Sequence, residues 1–481
     1  MSRNILDLPT EVLDHIFEYL PLEDQKNARQ VCRQFNQQLS SPRYYKNTKL
    51  RFERGVRYLI NDDLLRAAGQ GKIHCIELIE WDSTASEEEI DDMVQLFEAS
   101  RFSLETLSLC CCSELNMTAI FRALGNMLRL RHLSVVCGSI DGSTPRVPSI
   151  TSESVGFTLI TKLELTLISE SSVELVCSLA SHLECLVLNV RCKDLLVRCL
   201  NEPHLAIHSL TVYDVHMIDI IDPGELGGEC WRMLSKLETL RCTSNTSLYY
   251  VLPEMLQHCR NLTCLAFEHC RLSIQCVQQI DTLKGLKDLC LYRVESDGSS
   301  NDPLPILDLP NLESMTLSTE VNIRLSKQTP RLTSVVIEAD RMLSCPKAIL
   351  SEIIKIDGIG GRRLRRLQFK NVRLDREAIN WLGSLSIDLL SFEDCRIDGS
   401  ILDALATSET GRKICRIEMV NCALTFQAGK QYMVRTVAEL RAMCPYLQIT
   451  DTMIPHEGVY RSNSANYSLL QKWVHENIFF D

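Results

Sequence analysis

The chain has 481 residues, 45% of them hydrophobic, 23% charged and only 6% aromatic. That length would fill about three ordinary domains of ~150 residues, or one continuous repetitive body. With 62 acidic against 51 basic residues the net charge is −11, which disfavours a phosphate-tracking surface, and no apolar run approaches the ~18 residues of a membrane span. Neither nucleic acid nor a membrane is therefore expected as a partner.

The first residues, MSRNILDLPTEVLDHIF, mix charged with apolar side chains and show no small-residue cleavage site behind an apolar core, so no secretory signal is read there. A place in the cytoplasm and/or nucleus is expected. There the 22 cysteines would be reduced thiols acting as small buried hydrophobes. No C-x-x-C pair occurs and no Cys/His arrangement is recognisable, so neither a metal, a cofactor nor a catalytic role is expected.

Residues 8 to 53 contain no repeat. Leu8 and Pro9 open a helix with proline in its first turn, where the missing N–H costs nothing. Val12, Leu13, Ile16, Phe17 and Leu20 then supply an apolar face, and Pro21 stops the helix. A second helix is expected through Ala28, Val31, Cys32, Phe35 and Leu39. About 45 residues cannot bury all these groups alone, so some should remain exposed as a docking surface.

From there the pattern L-x-x-L-x-L returns down the chain, its first positions at Leu104, Leu130, Ile160, Leu183, Ile207, Leu237, Leu262, Leu286, Leu312, Leu332, Leu364, Ile387 and Ile414, with a degraded copy at Ile73. The mean period is about 26 residues, that of leucine-rich repeats. Several copies continue to a cysteine, at Cys112, Cys270, Cys395 and Cys422, with Asn245 in the same slot. A small side chain can tuck there under the turn that ends the strand, so these cysteines need no catalytic explanation.

Helix-period stripes lie between the strands, such as Ile120, Leu124 and Leu128, or Ile274, Val277, Ile280 and Leu283. Ser86 and Glu89 form a capping box ahead of a stripe of Ile90, Val94 and Phe97. Each repeat is thus strand, turn, helix, and stacked repeats make an α/β solenoid, a horseshoe with parallel strands inside and helices outside.

Two segments rich in Gly, Ser, Thr and Pro, 138–156 and 297–305, read as inserted loops. Leu470, Trp473, Val474 and Ile478 mark a terminal amphipathic helix, a cap for the solenoid end. The division expected is 1–50 for the helical module, 51–455 for some 13–15 repeats and 456–481 for the cap or tail.

L-P-x-E-V-L-x-x-I-F-x-Y-L followed by Val31, Cys32, Arg33 and Phe35 resembles the F-box, a three-helix module, and with the repeats the chain resembles the F-box and leucine-rich-repeat family over nearly its whole length. The resemblance implies a non-catalytic substrate-recognition subunit of an SCF-type cullin-RING ubiquitin ligase. Its F-box would bind the Skp adaptor through Leu8, Pro9, Val12, Ile16, Phe17, Leu20, Val31, Cys32 and Phe35, some of them core rather than interface. The repeats would hold a protein substrate. The alternative is an interaction scaffold or inhibitor that recruits no ligase. Phe35 stands where the family usually has Trp, and Gln25 where Leu is common.

Third and fifth positions of each repeat alternate with the buried leucines and face the inner surface. That strip includes His132, Lys162, Glu164, Arg241, Asp288, Arg366, Gln368, Arg416 and Glu418, with Tyr213, Tyr292, Glu338, Lys370 and Glu393 one step further along. Aromatic residues and arginines are the usual anchors, which selects Tyr213, Arg241, Tyr292, Arg366 and Arg416 as substrate contacts. The arginines among 362–366 read as a basic patch on the inner rim, and His204 and His208 as structural.

Overall fold

The computed structural model describes residues 5, 8–20, 22–40, 49–53, 60–79, 86–110, 123–136, 159–167, 170–214, 220–244, 248–296, 306–318, 324–325, 329–339, 363–374, 386–407, 414–425 and 446–450. The expected insertions at 138–156 and 297–305, the tail helix in 456–481, and the slot residues Cys112 and Asn245 lie outside these. The chain divides into two compact units, Met1–Ile207 and His208–Asp481.

The first unit begins with three helices, α1 (Thr10–Glu18), α2 (Leu22–Arg29) and α3 (Arg33–Leu39). The single helix expected through Ala28 and Leu39 is two. At Cys32 the backbone is extended, with φ −157°, and the Cys32 thiol caps α3 by accepting the Phe35 N–H at 3.4 Å. Leu13, Phe17, Phe35 and Leu39 form the core of this module, with Leu20, Ala28 and Cys32 packed against it.

A parallel ladder follows: Lys49–Glu53, Cys75–Ile79, Thr106–Cys110, His132–Val136, Lys162–Leu167 and Cys185–Val190, each hydrogen-bonded to the next. The first strand straddles the boundary expected at residue 51. Alternation decides the faces: Leu107 and Leu109 are buried while Thr106, Ser108 and Cys110 are not. The capping box between Ser86 and Glu89 is present and opens Glu87–Ser100. That helix buries Met93, Leu96, Phe97 and Ser100, so its stripe is rotated from the expected one: Ile90 and Val94 are only half-buried. Leu128, expected in a buried stripe, lies at the surface.

The second unit repeats the arrangement through Ser209–Asp214, Thr239–Thr243, Cys264–Glu268, Asp288–Tyr292, Ser314–Ser318, Ser334–Glu338, Arg363–Lys370, Ser386–Glu393, Ile414–Val420 and Tyr446–Thr450, again all parallel. Helices Gly228–Leu234, Leu252–His258, Ile274–Thr282 and Gly399–Thr407 alternate with the strands. Ile274, expected in a buried stripe from its spacing, is the exposed first residue of its helix. In both units every leading position of L-x-x-L-x-L, from Ile73 to Ile414, is buried. Parallel strands joined through helices, with leucines sealing one sheet face, make this an α/β leucine-rich-repeat fold.

The turns that end the strands share one conformation. Ser244, His269, Arg293, Asn371, Asp394 and Asn421 have φ between 50° and 60°, the left-handed region that Asn, Asp and His tolerate better than most. The amides of four of them reach forward: Ser244 N–H donates to Glu268 O at 2.8 Å, His269 N–H to Tyr292 O at 2.9 Å, Asn371 N–H to Glu393 O at 2.9 Å and Asp394 N–H to Val420 O at 3.0 Å. The slot that follows holds a buried small residue: Cys270, Val294, Val372, Cys395 or Cys422. Cys395 donates its thiol to Phe369 O and Cys422 donates to Phe392 O, each in the preceding repeat, at 3.3 and 3.4 Å. Valine fills the slot as well as the expected Cys or Asn, which makes volume its main requirement.

Candidate functional site

Two surfaces concern binding: the outer side of the helical module and the open face of the second unit's strands. On the first, Leu8, Val12 and Ile16 recur at the four-residue spacing of one helical face and remain exposed, as does Val31, with fractional exposures from 37% to 70%. Pro9, at the N-cap of α1, is exposed too. Leu20 and Cys32 are half-buried against the module's core. Phe17 and Phe35 point the other way, at 2% and 7% exposure, so neither is available to a partner.

The core is closed by polar side chains that sequence reasoning left unexplained. Gln25 Nε2 donates to Phe17 O at 3.1 Å and to Leu20 O at 3.0 Å, adding a side-chain donor to carbonyls in and just past the last turn of α1. A leucine at this position could not do that. Gln38 Nε2 donates to Thr10 O and Asp14 Oδ1, both at 2.8 Å, and ties α3 to the start of α1. The ridge of Leu8, Val12 and Ile16 is thus fixed while its outer side stays bare.

On the open strand face, the five selected residues fall in three rows of the register. Arg366 and Arg416 share one row with Leu389 between them, about 10 Å apart at ~4.8 Å per strand. Arg241 lies in the middle row with Ala266 and Cys290. Tyr213 and Tyr292 share the third row with Thr243 and Glu268 between them, about 14 Å apart. Tyr213, Arg241, Arg366 and Arg416 are exposed and Tyr292 half-buried, so the structure brings no two of them together.

What does gather is a polar cluster around Tyr292. Arg293, in its left-handed turn, lays its guanidinium 5.0 Å from the Tyr292 ring centre, and its Nη1 is 3.4 Å from His269 Nε2. The ring of His269 meets Tyr292 edge-on at 5.7 Å. Glu338 lies close to Tyr292, and burial followed by the charge of that carboxylate pushes the Tyr292 hydroxyl up. Burial likewise raises Glu338 above the usual carboxylate range, against the pull of Lys370. Next along the row, Lys370 Nζ is 3.0 Å from Glu393 Oε2, which also accepts Gln368 Nε2 at 2.8 Å. Position in the repeat points to Tyr292, Glu338, Lys370 and Glu393. It misses Arg293 and His269, turn residues whose contacts depend on a left-handed backbone.

The buried thiols stay protonated at neutral pH: burial pushes Cys290, on this face, up to about 11, and Cys230 and Cys259, among the helices, up to about 12. Among the described residues no group of three or more His, Cys, Asp or Glu side chains is placed to hold a metal ion, and no helix is long and apolar enough to cross a membrane.

A helical module with a bare apolar ridge, set ahead of parallel leucine-rich ladders, defines a binding protein built from an adaptor-type module and a repeat surface. Residues 5–47 match the family model of the F-box domain. An F-box domain match thus precedes the leucine-rich repeats of the fold. A search of curated proteins gives no match. Among solved structures it is similar to an internalin from Listeria monocytogenes, 14% identical, with 69% of this chain and 78% of that one covered and a TM-score of 0.33. It is also similar to a TDR receptor, at 12% identity, with 79% and 63% covered and a TM-score of 0.28. A third is the leucine-rich-repeat ectodomain of a membrane receptor kinase from Arabidopsis thaliana, at 11% identity, with 80% and 57% covered and a TM-score of 0.26.

Proposed function

We propose that this protein is the substrate receptor of an SCF-type cullin-RING ubiquitin ligase, acting in the cytoplasm or nucleus. The F-box grips the Skp adaptor, and the open strand face recruits a protein substrate. The receptor forms no covalent bond itself. It raises the local concentration of the substrate near the ubiquitin-loaded enzyme, so its contribution is proximity rather than chemistry.

The observation that supports this reading best is the division of labour in the F-box. Leu13, Phe17, Phe35 and Leu39 complete a core, and Leu8, Val12, Ile16 and Val31 are left as apolar surface that the module itself does not cover. Exposed apolar side chains gathered along one helix, as Leu8, Val12 and Ile16 are, suit a partner site. A substrate contact centred on Tyr292, Glu338 and Lys370 suits a polar segment, since each offers a hydrogen-bonding group from a half-buried position.

The test is reconstitution of the full chain with purified Skp adaptor and cullin-RING components. Stoichiometric incorporation is expected, with loss of incorporation when Val12 and Ile16 are both changed to Glu. A chain that folds yet never enters the complex would leave a repeat scaffold without a ligase.

A further inference from the structure

We infer that the edge of the first unit where its strands begin is a second docking surface, whose occupant is a partner-protein segment with acidic side chains interleaved among bulky apolar ones. Phe102 and Leu128 occupy equivalent places, each two residues before the leading leucine of its repeat, Leu104 and Leu130. Leu159 directly precedes Ile160, the leading residue of the next. The turns lie side by side: Leu128 N–H donates to Arg101 O at 3.0 Å, and Thr161 N–H to Arg131 O at 2.9 Å. All three apolar side chains are exposed, between 47% and 57%.

That exposure is not inherent to the position. Leu205, two residues before Ile207, is buried at 3%. A core role accounts for Leu205 and leaves Phe102 and Leu128 unexplained. Scattered surface leucines need no explanation, but an equivalent pair in successive repeats, Phe102 and Leu128, with Leu159 exposed in the next turn, does.

Cations frame the set. The Arg101 guanidinium lies 4.4 Å from the centre of the Phe102 ring, and Arg129, Arg131 and Lys162 are exposed along the same edge. Among the described residues Arg129, Arg131 and Lys162 have no ion-pair partner, while the neighbouring carboxylate of Glu105 is 3.7 Å from His74 Nδ1. In a chain of net charge −11, four exposed cations, Arg101, Arg129, Arg131 and Lys162, stand here beside exposed apolar groups and outnumber the edge carboxylates Glu105 and Glu184, which favours an acidic ligand.

The geometry favours protein over a lipid surface. Phe102 and Leu128 sit in adjoining turns, tied by the Leu128 N–H to Arg101 O bond, and neighbouring repeats at about one strand spacing, ~4.8 Å, suit a single extended segment laid across them.

The experiment measures fluorescence anisotropy of a short labelled peptide alternating Glu with Leu and Phe, titrated with the full chain. Binding is expected, weakened at least about tenfold by Arg129→Glu with Arg131→Glu, and to a similar degree by Phe102→Ser with Leu128→Ser, at unchanged melting temperature. Arg129→Gln with Arg131→Gln serves the same purpose if charge reversal disturbs folding. Equal affinity for a peptide with Ser in place of Leu and Phe would reduce the surface to plain charge attraction and overturn the proposal. So would variants without effect, or preferential binding of the chain to phosphatidylserine vesicles.

Discussion

Phe35 meets Phe17 edge to face, with ring centroids 4.9 Å apart and planes at 80°, and the pair joins α3 to α1 at the centre of the F-box core. Phe35→Ala removes most of that contact in a module too small to spare it. A loss of about 3 to 5 kcal/mol is expected, enough to unfold the F-box on its own. Amide hydrogen exchange should show protection lost in α1 and α3 and kept in Thr106–Cys110; protection kept in all three would contradict the assignment of this core.

The outer ridge should respond in the opposite way. Val12→Glu with Ile16→Glu places charges on surface that is already wet, so the melting curve should not move. Adaptor binding, measured by calorimetry, should weaken by about 2 to 4 kcal/mol, or roughly thirty- to a thousand-fold. Undiminished affinity would place the adaptor elsewhere.

Small buried residues in the slot beneath each turn lead to a third expectation. Since Val294 and Val372 fill the position occupied elsewhere by Cys395, Cys395→Val should cost under about 1 kcal/mol even though it removes the thiol donor to Phe369 O. Cys395→Ala should cost about 1 to 2 kcal/mol, because it leaves space instead. Urea midpoints of the two variants decide this, and a valine variant weaker than the alanine one would mean that the thiol hydrogen bond outweighs the filling of the slot.

His132 gives a pH dependence. Burial and then the Lys162 charge lower its pKa to about 4, from about 6.5 in an unfolded chain. Between those values the unfolded state binds more protons, so the stability linked to neutral His132 is fully present above about pH 6.5 and is lost as pH falls toward 4. His132→Gln should flatten the fall in urea midpoint over that window. An unchanged slope would assign the acid sensitivity to other groups.

Much of the fold is legible in the residues alone, because the strongest signals come from positions whose chemistry is local. The leucine pattern places Leu104, Leu130 and their counterparts on the buried face without any knowledge of neighbours, and the Ser86 and Glu89 pair fixes a helix start. Helix stripes are less legible. Spacing selects Ile90 over Met93 because it does not reveal which way a helix rolls against its sheet, and it turns Leu128 inward although the chain there has already bent toward its next strand. The site is harder still. Phe17 and Ile16 are adjacent apolar residues of one helix, and only packing against Phe35 separates the core residue from the exposed one. The contacts of Arg293 with Tyr292 and His269 depend on a backbone conformation that composition does not announce.

The forward-reaching amides carry a mechanical consequence. The left-handed turns at Ser244, His269, Asn371 and Asp394 pass their N–H groups to the repeat after them, as Asp394 does to Val420 and Asn371 to Glu393. Stripping away the last rung therefore uncovers a donor on the rung before. Fraying from that end would proceed like a zip, one tooth loosening the next, so a protease acting there should leave a graded series of shortened fragments.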